Sequence, residues 1–503
     1  MATQEEKQLN LLQAPDSPFT YLRRDPEKSF LYQTIRDNWL TFQAEAERSG
    51  RELPFYVIRE FEEFLKCGVL AHGFVRLKCE KCKHEKLVAF SCKKRGFCPS
   101  CAGRKQAMTG AFLASHVFPP WVSVRQWVIS FPVPLRYWQA ANPKLMNAVL
   151  GIVTRAISGF YRNGAASRGD QGGQTGSVTL VQRFGDALRL NVHYHQIWIE
   201  GVFVKPKDKN RPSYRWTPSP TDKDVMDMLA TIRTRVVRLL VRRGYLKSDE
   251  TPTGEATDNF ESDEPLLASV MAASTQGMIA TGERAGQRVR KVGSFGIAGE
   301  TPVLTGPLCA SVGGFSLHAN TFIGWGQPEK LEKLCRYISR PPVASDRLYR
   351  TKDGDIGYML KSQWNDGTYA VKFSPMEFIE KLVALIPQPR IHLTRYYGVL
   401  APHHAWRAEI VPAVKTGEVL PVSGEELQKP KCSARQRMSW SELLKRVFHF
   451  DLATCPDCGG TVKFIAAVMK RDVVVKILDH LNLPSAIPEW APARGPPCLT
   501  FDF

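Results

Sequence analysis

Apolar residues recur at helical spacing through the first 65 positions, as in Phe55, Ile58, Phe61, Phe64 and Leu65, and predict a helical lead-in. The pattern changes at Val122–Phe131, a β-rich run closed by Pro132 and Pro134. A helix is expected from about Pro143 to Arg162, then a Gly-rich loop over 164–176. Val178–Phe184, the Gly185-Asp186 turn and Leu188–Phe203 read as a hairpin. A basic amphipathic helix is expected over 222–246, a strand over 314–323, a helix from Pro328 to Arg340 and a last helix near 471–482. The stretch Ser248–Glu264 holds seven acidic residues and no basic one, which reads as a solvated insertion.

A chain of 503 residues predicts several domains. The segmentation read here is a helical region 1–65, a small module 66–115, a core 116–345 with an insertion at about 204–300, an extension 346–440 and a C-terminal region 441–503. The fold class is α+β, with an antiparallel sheet flanked by helices in the core. Net charge changes the functional picture: +19 points to a polyanionic partner, with nucleic acid first. No run of about 18 apolar residues and no signal-peptide pattern is found, so a cytoplasmic, nucleoid-associated protein is expected. No phosphate-binding Gly-x4-Gly-Lys loop occurs, so no ATPase is expected in this chain and host helicase or replication proteins would open the duplex.

Twelve cysteines in such a chain are expected to be reduced. Chance predicts about 0.3 pairs at i, i+3 for this composition, whereas 79/82, 98/101 and 455/458 give three. Cys79-x2-Cys82 and Cys98-x2-Cys101, 15 residues apart, suit one tetrahedral structural Zn²⁺. Cys67, His72 and Cys92, with His84, are spare donors for a second zinc or for packing. Cys455 and Cys458 supply half a site, with Cys432 and Cys498 as candidate partners. Ten Lys/Arg against two Glu over 76–105 make this module a phosphate-contacting surface.

In the strand Leu190–Gly201, period two sets Leu190, Val192, Tyr194 and Trp198 on a core face and Asn191, His193 and His195 on the other, pointing away from the core. Two imidazoles about 7 Å apart along a strand can converge on one divalent ion. On the 328–340 helix, Leu331, Leu334, Cys335 and Ile338 form the apolar stripe and Tyr337 lies at its boundary. Lys333 and Lys330, one and two turns back, are candidate phosphate contacts that would favour a phenolate.

Phe90-Ser-Cys-Lys-Lys-Arg-Gly-Phe-Cys-Pro-Ser-Cys101, Arg125-Gln-Trp-Val-Ile-Ser-Phe-Pro132, Val181-Gln-Arg-Phe-Gly185, Asn191-Val-His-Tyr-His195, Phe315-Ser-Leu-His-Ala-Asn320 and Leu334-Cys-Arg-Tyr-Ile-Ser-Arg-Pro-Pro342 follow one another in the order of rolling-circle insertion-sequence transposases. The chain resembles the IS91 family, above all its ISCR (common-region) elements. The resemblance implies an HUH nuclease with Mg²⁺ or Mn²⁺ at His193 and His195, Tyr337 as nucleophile and His318 as the candidate third ligand. It implies nicking and rejoining of single-stranded DNA at element termini and target through a 5′-phosphotyrosine. Many relatives carry a second tyrosine four residues earlier; here that position is Lys333, as in the single-tyrosine branch. The rival readings are an HUH replication initiator or relaxase, and a non-catalytic zinc-dependent DNA-binding protein.

Overall fold

The computed structural model describes residues 25–205, 211–253, 260–292, 306–364, 366–411, 454–455 and 457–495. Its helices used below are α1 (Phe30–Arg48), α2 (Phe55–Lys66), α3 (Pro99–His116), α4 (Val133–Ala141), α5 (Pro143–Ala166), α6 (Asp222–Arg242), α7 (Pro265–Gln276), α8 (Pro328–Ile338), α9 (Pro375–Leu385) and α10 (Arg471–His480). The strands are β1 (Phe74–Cys79), β2 (Glu85–Ala89), β3 (Val124–Ser130), β4 (Gly176–Phe184), β5 (Leu190–Ile199), β6 (Cys309–Val312), β7 (Phe315–His318), β8 (Phe322–Ile323), β9 (Thr394–Gly398) and β10 (Val462–Val468). Two compact units result: β1, β2, β10 and α10 build the smaller, and the remaining elements build the larger.

The larger unit is organised by an antiparallel sheet in the order β9-β4-β5-β3-β7-β6, with β8 also paired to β3. The expected hairpin is its centre: β4 and β5 pair from Ser177↔Trp198 to Gln182↔His193, and a bulge follows before Phe184↔Leu190. Helices cover both faces. On one, Tyr194 donates to the carbonyl of Met146 at 3.3 Å, Gln196 Nε2 bonds Thr154 Oγ1 at 3.2 Å, and Trp127 Nε1 donates to Tyr161 at 3.0 Å, which seats α5. On the other, Val124, Val178, Leu180, Ile197 and Ile199 share a core with Leu113 and Val117 of α3 and Leu331, Cys335 and Ile338 of α8.

Two helices, α4 and α7, fall where periodicity over short segments gives no clear signal. The prolines at 132 and 134 end the strand as expected, but Pro134 also occupies the first turn of α4, where a missing N–H costs nothing. The strand expected over 314–323 divides, because residues 319–321 leave the ladder between β7 and β8.

A buried polar cluster pins the end of β5. Arg125 and Glu200 pair at 2.8 Å with side chains 4% and 0% exposed, Tyr161 donates to Glu200 at 2.9 Å, and Arg125 Nη1 donates to the Ala319 carbonyl at 2.7 Å. Both charges of this cluster have partners, which is the condition for burying them together.

In the smaller unit β1 is central, flanked by β2 and β10 in antiparallel register. A strand from the C-terminal region thus completes a sheet begun near the N-terminus. Its apolar centre among the described residues is Leu70, Phe74, Val468, Val474 and Leu478. Among the described residues no helix is long and apolar enough to cross a membrane.

Candidate active site and cysteine centres

β5 delivers the histidine pair. Alternation sets His193 and His195 on one face, as expected, but that face is not turned away from a core. Helices α3 and α8 roof it, leaving His193 8% and His195 6% exposed. The ring centroids lie 5.0 Å apart. His193 Nδ1 sits 2.9 Å from the Asn191 carbonyl, an acceptor, so Nδ1 carries the proton and Nε2 keeps its lone pair. His195 Nδ1 sits 2.7 Å from the Gln126 amide. The atom facing it is Nε2 of Gln126, which donates, so His195 Nδ1 accepts and the ring proton lies on Nε2; turning the amide over would put its oxygen against Nδ1–H and free Nε2, the state a metal ligand needs. Burial is the main cause that pushes the His193 pKa down to about 4, with Arg340 and Arg136 adding to it against the Asn191 hydrogen bond. Burial, then His193 and Arg340, holds His195 well below its ordinary value. Both rings are neutral at physiological pH, with nitrogen donors available for a divalent ion.

Helix α8 delivers Tyr337 to the same side of the sheet. Pro328 opens the helix and Pro341 follows its end, while Leu331, Cys335 and Ile338 are buried and Tyr337 is 41% exposed. Its last turn is fastened to the histidine neighbourhood: Gln182, paired with His193 across the ladder, donates its amide to the Ile338 carbonyl. On the outer side Gln106 Nε2 donates to the Arg336 carbonyl at 2.9 Å.

The cations on Tyr337 are not those expected. Lys330 and Lys333 are exposed on α8, whereas Lys361 Nζ lies 3.2 Å from the phenolic oxygen and Arg340 stacks 4.6 Å from the ring centroid. Burial would raise the Tyr337 pKa, but Arg340 and Lys361 outweigh it and the net shift is downward. Helical spacing points to residues three, four and seven back and is silent about a loop residue 24 positions on. Arg340 belongs to the Arg-Tyr-Ile-Ser-Arg-Pro-Pro motif, and Gln126 and Gln182 to motifs read as strands. All three carried a signal whose role was missed; Lys361 carried none.

His318, the expected third ligand, is not brought into the pair. It pairs with Val128, which pairs with His195, so it shares their face but stands two strands away, about 10 Å at the usual strand spacing. Its Nε2 lies 3.3 Å from Cys309 Sγ. Among the described residues no third His, Cys, Asp or Glu joins His193 and His195 in a cluster. Beside the end of α8, a cleft of about 100 Å³ is lined by Lys94, Arg95, Lys105, Gln182 and Arg340.

The cysteines regroup. Cys98, at the N-cap of α3, and Cys101 in its first turn gather with Cys92, while Cys67 directly follows α2 and begins the smaller unit. Cys79 and Cys82 are gathered with Cys455 and Cys458 rather than with Cys98 and Cys101. His72 joins neither group, and Cys432 and Cys498 lie outside the described residues. Loop arithmetic sees only neighbouring motifs, whereas the pairing of β10 with β1 brings a distant one.

A family model described as "Putative transposase" matches residues 176–407, and one described as "Transposase zinc-binding domain", of IS91 type, matches residues 34–131. No curated protein and no solved structure matches the chain. The first match spans β4, β5, α8 and Lys361, and the second spans six of the cysteines, so structural zinc belongs to the N-terminal part of the chain. A zinc-binding domain leading into a sheet core that carries these motifs makes the chain a member of the IS91-type transposases.

Proposed function

We propose that the chain nicks and rejoins single-stranded DNA at element ends through a covalent 5′-phosphotyrosine, the chemistry of rolling-circle transposition. The observation that carries this reading is the seating of α8 on the histidine face of the sheet, with Gln182 tying Ile338 to the strand opposite His193. His193 and His195 would hold Mg²⁺ or Mn²⁺ through Nε2, and the ion when bound supplies charge neutralisation at the phosphate oxygens. The structure offers Gln126 as the polar side chain against this pair; His318, on the same face, stands two strands away.

Tyr337 supplies the nucleophile. Its oxygen bonds to phosphorus, the bond from phosphorus to the 3′ oxygen breaks, and that oxygen leaves as a free 3′-OH. Lys361 and Arg340 stabilise the phenolate. The phosphotyrosine bond conserves the energy of the phosphodiester, so an incoming 3′-OH reverses the step and joins strands. Lys94, Arg95 and Lys105 give the flanking phosphates a basic wall beside the end of α8. Lys333 in place of an earlier tyrosine favours the single-tyrosine ISCR-like scheme. An HUH initiator or relaxase would use the same chemistry, but the match to a transposase zinc-binding domain favours the transposase. The test is incubation with single-stranded oligonucleotides from the DNA flanking the chain's own reading frame, with Mn²⁺. A covalent protein–DNA adduct is expected, and its absence across all flanking strands would remove the reading.

A further inference from the structure

The matched zinc-binding segment ends at residue 131, so Cys455 and Cys458 lie far outside it. They nevertheless meet Cys79 and Cys82 in one cluster: Cys79 Sγ is 3.5 Å from Cys458 Sγ, 379 residues on, and Cys82 Sγ is 3.5 Å from Cys455 Sγ, 373 residues on. These separations are far beyond a disulfide bond of about 2.05 Å. They are close to the edge of about 3.8 Å that a tetrahedron of Zn–S bonds of about 2.3 Å requires.

The backbone on the two sides is built alike. In the first turn the Cys79 N–H donates to the His84 carbonyl at 2.8 Å, and Lys83, directly after the second cysteine, has φ of 62°. In the second the Cys455 N–H donates to the Gly460 carbonyl at 2.8 Å, and Gly459, again directly after the second cysteine, has φ of 67°. Each Cys-x2-Cys is therefore a knuckle closed by the same hydrogen bond between residues five positions apart and by the same left-handed residue. A lysine rarely takes that conformation, and its use here shows that the turn is imposed. Gly460 is fitted to the cluster: a Cβ there would stand 3.1 Å from Cys79 Sγ and 3.2 Å from Cys458 Sγ. The knuckles are joined by the β1–β10 ladder, which runs from Phe74↔Val468 to Cys79↔Val462, and by the Glu80 N–H donating to the Thr461 carbonyl at 2.9 Å.

We propose that Cys79, Cys82, Cys455 and Cys458 form a closed structural zinc site of their own, a zinc ribbon whose halves come from the two ends of the chain. The alternative, reduced cysteines packed as small apolar groups, does not suit Cys82, which is exposed. Four thiolates in a compact tetrahedral set select zinc over hard cations. The metal has a mechanical task. Three short strands over a centre of Leu70, Phe74, Val468, Val474 and Leu478 make a core too small to hold a distant segment unaided, and the ion fastens β10 and α10 to the β1–β2 hairpin.

The test uses the full chain purified with zinc. Elemental analysis should find two zinc ions per chain, one here and one at the cysteines around Cys98 and Cys101. The double variant C455S/C458S should hold one, C79S/C82S should hold one, and the fourfold variant should still hold one, because both pairs serve a single ion. Two zinc ions retained by C455S/C458S would overturn the site. Because a substituted chain can fail to fold, the unsubstituted protein supplies the second measurement: alkylation of each cysteine followed by mass spectrometry. Exposed Cys82 should resist the reagent while zinc is bound and become reactive together with Cys79, Cys455 and Cys458 as chelator removes one ion. Reaction of Cys82 and Cys458 at the rate of free thiols in the zinc-loaded chain would equally overturn it. Neither measurement depends on DNA cleavage, so failure here and failure of the nuclease reading are separable.

Discussion

The ammonium nitrogen of Lys361 lies 3.2 Å from the phenolic oxygen of Tyr337 and 4.6 Å from the centroid of its ring. With Arg340 on the ring, this gives a half-exposed tyrosine two cations, and they lower its pKa against the opposing effect of burial. A tyrosine pKa depressed below its ordinary value means that the phenolate is populated at lower pH than in a free tyrosine. The alkaline-rising limb of single-turnover cleavage should therefore lie below about pH 10. Lys361→Met removes one cation, so its limb should move to higher pH and its rate near neutrality should fall about tenfold for each unit moved. A variant whose profile coincides with the parent's would exclude Lys361 from activating Tyr337.

Tyr337→Phe removes the attacking oxygen and keeps the ring packed between Arg340 and Lys361, so it should abolish the covalent adduct without changing thermal stability appreciably. Two other tyrosines, Tyr396 and Tyr397, sit in β9 and pair with Val178 and Ser177. Burial raises the Tyr397 pKa, which disfavours its phenolate. Peptide mapping of the adduct should place the DNA on the peptide containing residue 337, and DNA on residue 396 or 397 would reassign the nucleophile.

His193→Ala and His195→Ala should each reduce cleavage by more than the roughly 10- to 100-fold that loss of an outer-sphere partner costs a metal site. Gln126→Ala should fall in that smaller range, because Gln126 orients His195 through Nδ1. DNA affinity, carried by basic residues elsewhere, should survive all three. Equal losses for Gln126→Ala and His195→Ala would instead place Gln126 among the direct ligands, and full activity in EDTA would remove the metal altogether.

What the sequence showed and what it hid divide by range. The facing of His193 and His195 follows from a period of two within one strand, and the boundary position of Tyr337 from a period near 3.6 within one helix. Both are local properties, and both are where alternation and stripe placed them. The burial of the imidazoles is not local: it depends on Leu331, Cys335 and Ile338 of α8 folding back over a strand more than a hundred residues earlier. The same holds for Cys79 and Cys82. Their spacing to Cys98 and Cys101 is compatible with one zinc, and only the β1–β10 register shows that Cys455 and Cys458 stand closer. Lys361 lies in a loop with no periodicity, so no pattern could attach it to Tyr337.

Glu200 is a stability position rather than a catalytic one. It receives Arg125, Tyr161 and Ser219 while fully buried, and Glu200→Ala would leave the Arg125 guanidinium uncompensated. Breaking such a pair costs about 3–5 kcal/mol. Chemical denaturation should show a loss of that order, and a change below about 1 kcal/mol would mean that water reaches Arg125 in the variant.

Gly110 sets the seat of the tyrosine helix. It lies in α3 where α8 crosses, and a Cβ there would overlap Cγ of Arg336 and stand 3.3 Å from the Arg336 backbone nitrogen. Two effects compete in Gly110→Ala: alanine favours α3 by up to about 1 kcal/mol, while the overlap forces Arg336, the residue next to Tyr337, to move. The root of a side chain close to its own backbone has little room to swing, so the spacing between α3 and α8 must widen. A shift near 1 Å at the reacting group costs about 100-fold in rate. Single-turnover cleavage should therefore fall by about that factor while DNA binding and stability change little. Gly103, on the same helix, supplies the control: a Cβ there would meet nothing within 4 Å, so Gly103→Ala should leave cleavage unchanged. Parental cleavage by Gly110→Ala would show that α8 is held at its working distance by the Gln182 and Gln106 hydrogen bonds alone.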